Sequence, residues 1–142
     1  YAVPVEMDAK TIDQCLVQFA ENTRRAREAG FDQLCDRPSW GLEMCRRVNS
    51  PAVKMVFDIY HAQIMEGNVA ATIKDNMQWI AHFHCAGVPG RHEIDGTQEI
   101  NYPPIMRAIA ETKYSGFVGQ EFIPVQADKV KSINESVRIC DV

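Results

Sequence analysis

The sequence predicts an α/β fold assembled from parallel βα units, and three observations predict it. Short apolar and β-branched segments end at residues 58, 85 and 121. Helical patterns of about ten residues separate them, the spacing that a parallel crossover needs. Each segment also closes on a residue able to ligate a metal or move a proton: Asp58, near the end His84, and Glu121.

Residues 8–29 are expected to be helical. Asp8 is a candidate N-cap, Ile12, Leu16, Phe19, Thr23 and Ala26 recur at helical spacing, and Gly30 supplies the stop. A second helix is predicted over 39–48, starting at Ser39 behind Pro38, with Leu42, Cys45 and Val48 on one face. Residues 53–58 read as a strand ending on a carboxylate, 68–78 as a helix, and 79–85 as the next strand. A loop with three glycines and Pro89 covers 86–101. Residues 103–112 then form a helix with Pro at its first turn, 116–121 a third strand, and 126–140 a final amphipathic helix. Right-handed crossovers place the three strand ends on one rim. The periodicity alone fits an open doubly wound sheet as well as part of a barrel.

Bulk properties narrow the function classes. The chain has 142 residues, 46% of them hydrophobic and 24% charged, as in an ordinary globular domain. That length fits one domain with a real core. A net charge of −4 with dispersed basic residues argues against a nucleic-acid surface; Arg24, Arg25 and Arg27, like Arg46 and Arg47, read as solvated helix faces. Five cysteines with no CxxC pair point to reduced thiols and a cytoplasmic setting. No apolar run approaches a membrane span. The first residue is Tyr1, so the chain is expected to start inside a longer protein or after processing.

In barrels and open α/β sheets alike, ligands bind at the carboxyl ends of the strands. Two carboxylates and an imidazole from neighbouring strands make a mixed O/N donor set suited to Mg²⁺, Mn²⁺, Co²⁺ or Zn²⁺. Each residue has a plainer reading: Asp58 as a helix cap, His84 as a hydrogen-bonded core residue, Glu121 as a surface group. The loop over 87–101 leaves the strand that carries His84 and can overhang the same rim. Arg91 and His92 within it are candidate substrate contacts, since a guanidinium fork suits paired oxygens.

The segments Phe57-Asp58-Ile59-Tyr60-His61, Gln63-Ile64-Met65-Glu66-Gly67-Asn68, Val88-Pro89-Gly90-Arg91-His92-Glu93, Gly96, Glu99-Ile100-Asn101-Tyr102-Pro103 and Gly116 to Glu121 resemble hydroxypyruvate isomerases, members of the xylose isomerase-like TIM-barrel superfamily. The resemblance runs from about Ser50 to Pro124. It implies a (β/α)8 TIM barrel of which the chain covers the C-terminal half. It places Asp58, His84 and Glu121 on metal-ligand positions, His61 and Arg91 on substrate-contacting positions, and Glu121 also as an acid/base group. The implied reaction is aldose–ketose isomerisation or epimerisation of a small sugar or hydroxy-keto acid through a cis-enediolate, an activity of carbohydrate metabolism. A homo-oligomer without nucleic-acid or membrane partners is expected.

The sequence departs from that pattern at four places. His84 stands where hydroxypyruvate isomerases usually carry Gln, Gly87 where an Asp is expected, and Ile123 where a Lys is common. Residues 31–37 are also too few for the strand and Glu-Pro-Leu-Asn type motif that supply a further metal ligand and the partner acid/base group. Segments of a longer chain joined end to end would explain that gap, as would a truncated product. The rival readings are a sugar dehydratase, an endonuclease IV-like enzyme of the same superfamily, and a non-catalytic barrel fragment.

Overall fold

A computed structural model of the chain describes residues 37–142 together with Val17, Glu21 and Arg24. The chain divides into two compact units, Tyr1–Leu34 and Cys35–Val142. In the first, the three described residues are helical and Glu21 pairs with Arg24 at 2.6 Å; the rest of the helix expected over 8–29, and the short segment 31–36, lie outside the described residues.

The second unit runs α1 (Pro38–Val48), β1 (Met55–Asp58), α2 (Ile59–Met65), α3 (Val69–Asn76), a 3-10 turn (Met77–Trp79), β2 (Ile80–Cys85), α4 (Tyr102–Glu111), β3 (Val118–Gln120) and α5 (Lys129–Cys140). The strands form one parallel sheet in chain order, β1-β2-β3. Asp58 lies opposite His84, and His84 opposite Gly119. The ladder continues one step past β3, where Glu121 N–H donates to the Cys85 carbonyl at 2.8 Å.

Alternation along the strands decides what each face does. Phe57, Phe83 and Cys85 point to one side and are buried with Ile73, Ile105 and Ile109 from α3 and α4. The other side carries Asp58 and His84, with Val56 left half-exposed. Phe57 and Phe83 meet edge-on at 6.0 Å, and Phe83 meets Tyr114 at 5.1 Å. Beneath the loop after β2, Tyr102 is fully buried, and its hydroxyl donates to the Ala86 carbonyl (2.7 Å) while accepting from the Ala86 amide (3.0 Å). Tyr102→Phe strands both backbone groups, so urea or thermal denaturation should show a loss of about 1–3 kcal/mol.

The structure shifts several predicted boundaries. β1 starts at Met55, and its register with β2 slips between Met55 and Val56. Residues 68–78 divide into α3 and the 3-10 turn, and β3 is confined to Val118–Gln120. The helix α2 has no counterpart in the sequence reading; Asp58 Oδ1 caps it, accepting from His61 N–H at 3.2 Å. The last helix starts at Lys129, capped by Asp128, and buries Ser132 and Ser136 while Val130, Ile133 and Val137 stay exposed. Its inner face is mixed: Ile139 and Cys140 pack against the core, while Ser132 and Ser136 meet Glu93 and Ile94 of the loop after β2. No helix among the described residues is long and apolar enough to cross a membrane.

Candidate metal centre

The three residues read from the strand ends come together. Asp58, His84 and Glu121 each offer one ligand atom, and these atoms lie within 4.8 Å of one another. The cause is register: Asp58 and His84 are opposed on adjacent strands, and Glu121 follows two residues beyond Gly119, which faces His84, and so falls on the same side. His84 Nδ1 lies 2.7 Å from Glu121 Oε2. Two carboxylates and an imidazole at this separation could hold a divalent cation of the oxygen- and nitrogen-preferring kind.

Asp58 is a helix cap, the plainer of the two readings, and its second oxygen faces the cluster, where it accepts from Arg91 Nη2 at 2.9 Å. Arg91 also donates through Nη2 to Glu121 Oε2 and through Nε to the Glu121 carbonyl (3.1 Å). Its Nη1 lies 2.6 Å from His61 Nε2, and the guanidinium sits 5.2 Å from the centre of the Tyr60 ring. Burial works against the Arg91 charge, but Asp58 and Glu121 outweigh it and hold its pKa above the ordinary arginine value. His61 and Arg91 thus flank the three strand-end residues. A cavity of about 350 Å³ lies beside Asp58 and His61 and reaches Met55 and Met65.

His92 is placed differently. Its Nδ1 lies 3.0 Å from the Ile123 carbonyl, tying the loop to the segment after β3, and its ring packs where a Gly90 side chain would stand. Gly90 has φ +83, and a Cβ there would lie 2.6 Å from that ring. Gly87 is equally constrained, since a Cβ would stand 2.3 Å from the Glu93 carbonyl oxygen. With the loop folded this way, an Asp does not fit at this position.

Two residues at the site escaped the sequence reading. Tyr60, beside His61, was visible only as part of a motif. Glu93, also named only within a motif, anchors the loop that carries Arg91: it is 4% exposed, and one oxygen accepts from Val125 N–H (2.8 Å), Gln126 N–H (2.9 Å) and Ser132 Oγ–H (2.7 Å). Burial opposes its ionisation, but the Gln126 amide, the Ser132 hydroxyl and the amides of Glu93 and Val125 prevail, bringing its pKa to about 2. A depressed carboxylate stabilises the fold above its unfolded pKa, and the contribution is lost as pH falls through the folded value. Melting temperature should therefore drop between about pH 5 and about pH 2, and Glu93→Gln should flatten that part of the profile.

Comparison with known proteins gives these residues a context. The sequence pattern of the family described as "Xylose isomerase-like TIM barrel" matches residues 11–140. The 2-oxo-tetronate isomerase of Cupriavidus necator is 39% identical over 89 residues, covering 63% of this chain and 34% of that protein. The hydroxypyruvate isomerase of Escherichia coli is 40% identical over 72 residues, 51% of this chain and 28% of that protein. Among solved structures, one titled as an AP endonuclease, family 2, from Brucella melitensis superposes with a TM-score of 0.65 at 31% identity, covering 72% of this chain and 39% of that one. The chain spans about a third of the length of the curated relatives it matches.

Proposed function

The chain belongs to the xylose isomerase-like TIM barrel family, and from that premise we propose that it carries the metal site and a proton-transfer carboxylate of a divalent-metal-dependent isomerase. The substrate class is small sugars or hydroxy-keto acids, as the names of the hydroxypyruvate and 2-oxo-tetronate isomerases among its relatives suggest. The observation that carries the proposal is the convergence of Asp58, His84 and Glu121 within 4.8 Å at the ends of neighbouring strands.

In this reading Asp58, His84 and Glu121 hold the cation. Mg²⁺, Mn²⁺, Co²⁺ or Zn²⁺ bound there would act as a Lewis acid that favours charge on a neighbouring carbonyl oxygen. Glu121, the more exposed of the two carboxylates, takes the proton next to the carbonyl and leaves a cis-enediolate. Return of a proton to the other carbon, with the hydroxyl proton passing to the former carbonyl oxygen, completes the aldose–ketose exchange; return to the opposite face of the same carbon gives an epimerisation. Arg91 and His61 orient substrate oxygens through N–H groups on the same rim. His92 supports the loop that carries Arg91, and its contact with substrate remains part of the proposal.

The alternative reading as a repair phosphodiesterase is less well supported. That chemistry calls for several His ligands and a basic groove, whereas the cluster found among the described residues contains one His, and the net charge is −4.

The test is solvent-proton exchange. The protein expressed from its full reading frame would be incubated in D₂O with Mn²⁺ or Mg²⁺, hydroxypyruvate and a panel of ketoses, and deuterium followed by NMR. Metal-dependent label at the carbon next to the carbonyl is expected; no exchange with any of them would defeat the proposal.

A further inference from the structure

We propose that Arg91 is a resident counter-ion of the Asp58–His84–Glu121 cluster, so that a divalent cation and the guanidinium compete for the same carboxylates. This rests on the reading of those three residues as metal ligands. Nη2 of Arg91 is bonded to Asp58 Oδ2 and to Glu121 Oε2, the carboxylates of that set. Glu121 Oε2 also takes His84 Nδ1 at 2.7 Å. A cation approaching the intact arrangement therefore meets engaged oxygens and a fixed positive charge.

The fold holds Arg91 in place from several directions. Its Nε donates to the Glu121 carbonyl, Nη1 meets His61, and the Tyr60 ring lies beneath the guanidinium. Its own backbone has φ +59, a left-handed conformation uncommon for a residue with a side chain, and persisting only where the surroundings enforce it. The enforcement is visible. Gly87 bridges to His92, Ile123 N–H donates to the Arg91 carbonyl at 2.7 Å, and Glu93 is anchored two residues on.

Charge then decides the consequence. Two carboxylates and one guanidinium leave the cluster with a net charge near −1, while removal of the guanidinium leaves about −2, which attracts a divalent cation more strongly. Cation binding displaces the guanidinium from Asp58 and Glu121, and its N–H donors become available to a substrate oxygen on the same rim. Arg91 thus couples metal occupancy to substrate contact.

The experiment is a Mn²⁺ titration of the wild-type protein, Arg91→Gln and Arg91→Lys by calorimetry and by electron paramagnetic resonance of the free ion. Arg91→Gln should bind Mn²⁺ about tenfold more tightly, and Arg91→Lys should fall between, because an ammonium keeps the charge without the fork. Equal or weaker binding by Arg91→Gln overturns the inference alone. No Mn²⁺ binding by any of the three overturns the metal reading and this one with it. A measurement on the wild type covers the case in which the variants misfold. In ¹⁵N-resolved arginine side-chain spectra, Mg²⁺ should shift the Arg91 guanidinium signals and speed their hydrogen exchange. Saturating Mg²⁺ that binds but leaves those signals unmoved overturns the competition.

Discussion

Glu121→Gln is expected to reduce metal-dependent proton exchange by about 10³-fold or more while leaving the fold intact. Its backbone and its side chain do separate work. Its N–H extends the ladder to Cys85, and its carbonyl receives Arg91 Nε. Gln preserves both backbone bonds and is nearly isosteric, and the part-exposed pairing with Arg91 and His84 that it weakens should cost no more than about 1 kcal/mol. The side chain is the part that reacts: a carboxylate beside His84 Nδ1 and Arg91, open to one side of the sheet. An amide is a poorer ligand and cannot accept the substrate proton. Exchange rates in D₂O read the loss, and circular dichroism melting reads the intact fold. Exchange by Glu121→Gln within tenfold of wild type would move the proton-transfer role to another group.

How legible the site was depends on what each residue type can signal. The strand ends were readable because β-branched and aromatic runs such as Met55–Asp58 and Ile80–Cys85 carry their own period, and parallel crossovers then fix which rim they share. Side chains that meet across strands are one step further away. The opposition of Asp58 and His84 depends on a register that slips at Met55, and no local pattern announces it. The helix α2 was hidden for a related reason. It has seven residues, two of them buried, and its start is marked by Asp58 alone. Buried polar residues were the least visible. Glu93, Ser132 and Ser136 have the composition of a surface, and they are interior because they satisfy one another and the backbone of Ile94, Val125 and Gln126. The Arg91 contacts needed the loop after β2 to fold back over the sheet. The sequence offered its length, its glycines and the rim it could overhang, but not the bonds it makes there.

The second large effect is expected at Asp58, where two variants separate two roles. The carboxylate uses Oδ1 to cap α2 and Oδ2 to face the cluster. Asn retains a good cap acceptor, whereas Ala removes it at a cost of about 1 kcal/mol. Both remove the negative charge that a cation and Arg91 share. Mn²⁺ affinity should therefore fall by more than about 100-fold in Asp58→Asn and Asp58→Ala alike, a loss larger than that of an outer-shell partner. Thermal stability should distinguish the variants, with Asp58→Ala lower by the value of the cap. The comparison works because capping is indifferent to the charge and cation binding is not. If Asp58→Asn kept the wild-type Mn²⁺ affinity, Asp58 would be a cap alone. A carboxylate at the end of β1 would then owe its place to the start of α2, and the strand-end coincidence would reflect architecture rather than chemistry.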